Sequence, residues 1–424
     1  MGAFSNFVID LLGNAAILVG LMSLVGLLLQ KSPWDETLTS TIKTIVGFLI
    51  FDVGAGAAGV ALGNFQELFA EGFGLEGVLP LAEAVTALAQ EQFGSTVALV
   101  MLLGFVFNLI FARISPFKYV FITGQHNLYF AALITIMLKA LGINNGITVI
   151  LGGIVLGLFA VIFPAIGQPG MRKITGSDDL AIGHYSTVGY AIAGWIGSKV
   201  GDPEDSTENL KLPKWLNMFK DYVVGVGITM VVFFYVAAFA AGPEFTTELS
   251  GGLNWLVFPL IQGLTFAAAL YVIITGIRML LGEIVGAFTG ISEKLIPDAK
   301  PALDCPVVFP YAPTATVIGF LSAYAGGLLM MVIFGLLNTT VIIPVAVPYF
   351  FIGATAGVFG NATGGWKGAV VGSFVVGILI AVGPALIYPI MADIGLTGSA
   401  FPETDFTIVG LLIYYIGNFL SGIF

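Results

Sequence analysis

The chain has 424 residues, of which 58% are apolar and only 9% charged, and its mean hydropathy is +1.01. A soluble domain of this size clothes its surface with roughly a quarter charged residues, so the composition excludes a soluble globular protein and points to a polytopic protein of the lipid bilayer. The net charge of −10, without any basic run, excludes nucleic-acid binding.

Apolar stretches near the twenty residues needed to span a bilayer fall at 7–29, 41–62, 95–112, 119–139, 146–166, 221–242, 253–278, 314–337, 349–363, 368–391 and 406–423. They predict an all-α protein with about eleven transmembrane helices. Met1–Asn6 lacks a basic leader, so the first stretch is read as a retained helix. The stretch 349–363 is short and glycine-rich, and could form a re-entrant hairpin with 338–348.

Short loops rich in Lys and Arg stay cytoplasmic. With the amino terminus outside, the inner loops receive Lys31, Arg113, Lys118, Arg172, Lys173, Lys199, Arg278, Lys300 and Lys367, whereas the outer loops collect Glu67, Glu71, Glu76, Glu83, Glu403 and Asp405, with Lys139 the only cation on that side. An N-out, C-in topology follows. Leu180–Gly197 is nearly long enough to cross, but basic residues flank it on both sides. It is expected to dip in from the cytoplasm and return, which is tolerable where protein or a watery cavity covers the backbone. Leu79–Gln92 reads as an amphipathic interfacial helix with Glu83 on its solvated face.

At an offset of about 220, LGGIVLGLFAVIFPAI (Leu151–Ile166) overlies VGSFVVGILIAVGPAL (Val371–Leu386), sharing Gly152/Gly372, Gly157/Gly377 and Pro164/Pro384. The fifth and tenth crossings then correspond, and an odd number of crossings per half makes the halves inverted, the plan of alternating-access transporters. The expected organisation is a first five-helix repeat over 1–166, a cytoplasmic connection with a re-entrant segment over 167–220, a second repeat over 221–391 and a final helix over 392–424.

Gly54-Ala55-Gly56-Ala57-Ala58-Gly59 matches a dinucleotide fingerprint, but it ends a membrane helix and lacks the βαβ setting that the fingerprint requires. It reads either as close helix packing or as an unwound turn with free N–H groups facing a ligand. The two histidines, His126 (beside Gln125) and His184, lie in apolar stretches, where polar side chains are costly unless they line a cavity. Asp304, in ALDCPVVFPYAP, sits among three prolines on backbone that cannot be helical. It is either an exposed loop acid or an acceptor for ligand hydroxyls. Phe359–Trp366 resembles a helix break. No P-loop, H-E-x-x-H or second metal ligand one helical turn from either histidine occurs, so no catalytic residue, metal or cofactor is expected.

These motifs together resemble the ascorbate-specific IIC permeases of the bacterial phosphoenolpyruvate-dependent sugar phosphotransferase system (the UlaA/SgaT group). The resembling segments include Thr41–Phe48, Thr123-Gly124, Ile182-Gly183-His184, Leu210–Asn217, Gly290-Ile291-Ser292, Asp304-Cys305 and Gly357-Val358-Phe359 with Gly364-Gly365-Trp366. The resemblance implies a homodimer in the bacterial inner membrane that moves L-ascorbate, or a related sugar acid, by an elevator motion. A partner IIB protein, recharged by IIA, would phosphorylate the sugar. It also implies a substrate site at Gly54, Ala55, Gly56, Gln125, His126, His184, Asp304, Gly353 and Gly357. This chain departs from the family pattern where Gln125 follows Thr-Gly and where Ala55 stands in place of Ser. Alternatives are a permease for another sugar or pentitol, and an ion-coupled secondary transporter.

Overall fold

The computed structural model describes residues 15–210, 213 and 221–421. The start of the first apolar stretch and most of the Leu210–Asn217 motif lie outside the described residues. The first half of the chain forms α1 (Ala15–Gln30), α2 (Trp34–Phe73), β1 (Gly77–Pro80), α3 (Ala82–Ile114), β2 (Tyr119–Phe121), α4 (Gly124–Ala140), α5 (Asn145–Thr175), β3 (Ala181–Ile182) and α6 (Thr187–Val200). The second forms α7 (Tyr222–Ala241), α8 (Pro243–Leu249), α9 (Val257–Leu295), β4 (Lys300–Leu303), α10 (Pro313–Leu336), β5 (Val341–Ile342), α11 (Ala346–Ala392), β6 (Ser399–Ala400) and α12 (Thr404–Ser421). Seven described helices are long and apolar enough to span a membrane. Large apolar side chains such as Ile114, Phe239, Leu336 and Phe419 lie exposed on the outside, as a lipid-facing surface requires.

The order of elements in the first half recurs in the second. From Gly77 to Lys300 the step is 223 residues, from Tyr119 to Val341 it is 222, and from Ala181 to Ser399 it is 218. The strands are exchanged reciprocally: β1 pairs in parallel with β5 and β6, and β4 pairs in parallel with β2 and β3. Each three-stranded sheet therefore takes its central strand from one half and its edges from the other. Both α5 and α11 carry a pair of internal prolines, Pro164 and Pro169 against Pro384 and Pro389.

Two of the long helices are broken. Non-helical Phe93 (φ −133°, ψ 18°) separates the segment over 82–92 from the long arm of α3. In α11 the break lies at Gly364 and Gly365, and Gly365 adopts φ 57°, ψ −150°, a conformation open essentially only to glycine. The two arms of α11 then run antiparallel: Ser373 Oγ donates to the Gly353 carbonyl (3.2 Å) and Tyr349 Oη to that of Gly377 (3.4 Å). Gly353 and Gly357 lie within a regular arm. A Cβ at 353 would stand 2.6 Å from Ala323 Cβ, and one at 357 would stand 2.7 Å from Gly319 Cα, so these glycines let α10 and α11 touch. Likewise α2 is unbroken through Gly54, Ala55 and Gly56. A Cβ at Gly54 would lie 2.7 Å from the backbone nitrogen of Ile273, which makes it a packing contact with α9 rather than an unwound turn.

Helices α6 and α12 meet at their amino termini. Asp405 accepts from the Thr187 and Val188 N–H groups (2.8 and 3.0 Å) and donates its own N–H to the Tyr185 carbonyl (3.0 Å). From that junction α6 leads to the turn of α11, where Thr363 Oγ1 donates to the Gly194 carbonyl (2.7 Å). Helix α12 runs beside α4 instead. A Cβ at Gly410 would lie 3.5 Å from Leu133, and one at Gly417 would meet Leu141 in the turn after α4. The stretch expected to cross at 406–423 thus forms an apolar helix shorter than the seven long ones, with its start joined to the start of α6.

Three acids counted among outer loops or solvated faces are buried: Glu83 is 9% exposed, Glu403 4% and Asp405 0%. Arg278, counted as a loop cation, stands within α9. A buried carboxylate that caps a helix or lines a cavity does not report the side of a membrane, so these residues drop out of the charge count.

Candidate functional site

A cavity of about 80 Å³ lies where the two halves meet. Gln125, His126 and Tyr129 at the start of α4 line it, as do Val347, Pro348 and Phe351 at the start of α11, each 222 residues further on. The segments leading into α6 and α12 supply His184 and Glu403, the turn after β4 supplies Asp304, and Glu83 and Arg278 complete the polar lining. The start of α4 thus presents polar residues and the start of α11 apolar ones, giving one hydrogen-bonding wall and one smooth wall.

Asp304 organises the polar wall. It caps a short 3-10 turn over Cys305–Val307, because Pro306 cannot continue β4. One carboxylate oxygen accepts from the Cys305 N–H (2.7 Å) and faces His126 Nε2 at 3.3 Å; the other accepts from Gln125 Nε2 (2.6 Å). His184 is set by the strand before it: β3 pairs with β4, and the Gly183 N–H donates to the Leu303 carbonyl (2.6 Å). Its Nδ1 lies 2.9 Å from Tyr190 Oη, which also approaches Cys305 Sγ at 3.2 Å. The rings of His126 and His184 come within 4.1 Å of each other, centre to centre. His126 Nδ1 and Glu403 Oε2 are buried without a hydrogen-bond partner among the described residues. One donor atom each from His126, His184 and Glu403 lies within 4.8 Å of the others, and His184, Asp304 and Cys305 form a second such set.

The backbone adds to this wall. Helices α3 and α4 begin at it without a side-chain cap from the N-cap residue, so the positive ends of both helices face the cavity. Arg278 is the cation lining the cavity, and it also lines an adjoining cleft that shares Gln125 and Asp304. At the approach to β3, Asp178 accepts from Arg172 Nε (2.7 Å), Lys300 Nζ (2.6 Å) and Gln168 Nε2 (2.8 Å). These donors, Arg172 foremost, hold its carboxyl well below the usual carboxylate range.

The fold therefore brings together Gln125, His126, His184 and Asp304 from the sequence-derived site, and keeps the glycines apart. Gly54, Gly353 and Gly357 are helix-packing residues. Gly56 lines a separate cavity of about 500 Å³ with Asp52, Gln90 and Glu91. Sequence reasoning did not place Glu83, Tyr129, Tyr190, Arg278 and Glu403 at the site. Tyr190 had a signal, lying six residues after His184 near the start of an apolar helix, and so did Glu403, between Pro402 and Thr404.

Two comparisons bear on identity. The sequence profile of a family described as "PTS system sugar-specific permease component" (EIIC-GAT) matches residues 10–405. A relative from Mycoplasma pneumoniae (strain ATCC 29342 / M129 / Subtype 1), named "Ascorbate-specific PTS system EIIC component", is 28% identical over 426 residues, covering 87% of this chain. The chain spans 64% of that relative's length. With the profile running through nearly all of the described fold, this chain belongs to the family of PTS system sugar-specific permease components.

Proposed function

We propose that the chain is the membrane-embedded IIC unit of a phosphotransferase system and carries L-ascorbate or a closely related sugar acid. A partner IIB protein, charged by IIA, would phosphorylate the sugar on the cytoplasmic side of a bacterial inner membrane. The observation that carries this reading is the cavity between the two halves of the chain, with neutral donors, carboxyl groups and helix amino termini on one wall and apolar side chains on the other. A polyhydroxy anion leaving water needs its hydration replaced by such groups and must still be releasable. Gln125, His126, His184 and Asp304 take the hydroxyls, and Arg278 answers the anionic charge. The likeness to a relative named ascorbate-specific supports the same sugar class.

The repeated element order and the reciprocal strand exchange support two halves related by inversion, with the substrate on the axis between them. In this reading β3–α6 and β6–α12 are equivalent dips from opposite faces. The halves extend past the boundaries expected at 166 and 391, ten crossings remain, and with the amino terminus outside, α12 returns outward. A homodimer whose cavity-bearing part moves as a rigid elevator is the proposed working unit.

The test is uptake of labelled ascorbate into proteoliposomes containing the chain, with IIA, IIB and phosphoenolpyruvate inside or omitted. Accumulation as a phosphate ester only in the complete system is expected. Accumulation of unmodified sugar driven by a proton or sodium gradient alone would refute the reading in favour of a secondary transporter.

A further inference from the structure

We propose that, when no sugar is present, the cavity binds one divalent cation of the zinc class on His126, His184 and Glu403, in competition with the sugar for the two histidines. The three side chains come from three separate elements, yet one donor atom of each lies within 4.8 Å of the others. Tetrahedral zinc with ligands at about 2.1 Å needs donors roughly 3.4 Å apart, so small side-chain rotations complete the set.

The surrounding hydrogen bonds orient the rings as a metal site does. A ligating histidine characteristically gives its other nitrogen to a carboxylate or similar group. His126 turns Nε2 to Asp304 at 3.3 Å, and His184 turns Nδ1 to Tyr190 Oη at 2.9 Å. That leaves His126 Nδ1 and His184 Nε2 to bind. Two of the three candidate ligands also carry an unsatisfied atom, because His126 Nδ1 and Glu403 Oε2 are buried without a hydrogen-bond partner among the described residues. His126 is 7% exposed, His184 2% and Glu403 4%.

The cavity lining is rich in oxygen donors. Glu83, Asp304 and Glu403 bring carboxyl groups to it beside Arg278. Two imidazoles and a carboxylate suit zinc and its neighbours in the transition series rather than magnesium or calcium, and three protein ligands leave a fourth position for water or a ligand oxygen.

The test uses the purified full chain in detergent, stripped with a chelator and titrated with cobalt(II), a spectroscopic stand-in for zinc. One cobalt per chain is expected, with the intense visible absorption of a tetrahedral centre, displaced by equimolar zinc and unaffected by magnesium. Affinity should fall at least 100-fold in His126→Ala and Glu403→Gln, about 10- to 100-fold in Asp304→Asn through loss of the orienting bond, and stay level in Cys305→Ser. Glu403→Asp, which keeps a carboxylate, should weaken binding without abolishing it, and size-exclusion profiles establish that each variant is folded. Absence of stoichiometric cobalt binding overturns the proposal. So does loss in Cys305→Ser with retention in Glu403→Gln, which would assign the ion to the other trio. No sugar enters the assay, so its failure leaves the transport reading untouched.

Discussion

Asp304→Asn is the substitution whose cost can be worked most directly from the site. In the native chain one carboxylate oxygen holds the Cys305 N–H at 2.7 Å and the other holds Gln125 Nε2 at 2.6 Å, while His126 Nε2 stands 3.3 Å away. Asparagine keeps one acceptor for Cys305, and Gln125 can turn its amide to meet the new NH2 group. What disappears is the negative charge that both His126 and a ligand hydroxyl would feel. A hydrogen bond to a charged group contributes about 1.5–3 kcal/mol. The side chain is 27% exposed, so the lower half of that range applies, and ligand affinity should drop by roughly 10- to 40-fold. Asp304→Ala also strands the Cys305 N–H and should cost at least as much. Calorimetric titration with the sugar acid, paired with energised uptake from pH 5 to 8, checks both variants. Wild-type affinity and uptake in a folded Asp304→Asn protein would remove Asp304 from the site. Retained exchange with loss of pH dependence would make it a coupling residue instead.

Gly365→Ala should lower thermal stability by more than about 1–3 kcal/mol, the usual cost of a non-glycine residue in such a backbone region. A Cβ there would also strike the carbonyl oxygens of Asp202 and Asp205; an unchanged melting temperature would contradict the hairpin geometry. Arg278→Gln should weaken an anionic sugar acid by about 0.2–1 kcal/mol, because the exposed side chain is screened by water, while leaving neutral polyols unaffected, and equal losses for both would assign Arg278 a structural role. The stability that Asp178 gains from its cationic partners is complete above the unfolded carboxyl value of 3.8 and is lost as pH falls toward its lower folded value. The wild-type melting temperature should therefore decline more steeply than that of Asp178→Asn below about pH 4.

The membrane class and four of the cavity residues were legible in the sequence, each for a local reason. Hydropathy sums transfer energies over a window, so it finds segments that belong in lipid. His126 and His184 stood out because an apolar stretch makes an imidazole costly. Which polar groups share a cavity was decided by tertiary structure alone. Strand β4 inserts between β2 and β3, and this pairing carries His184 to Asp304 and His126 across distances of 120 and 58 residues. The same packing turned Glu83, Glu403 and Arg278 from apparent surface charges into cavity walls. A window of sequence records how a segment partitions between water and lipid. It holds no record of which distant donor or helix end will satisfy a buried charge, because that partner is supplied only when the two halves close on each other.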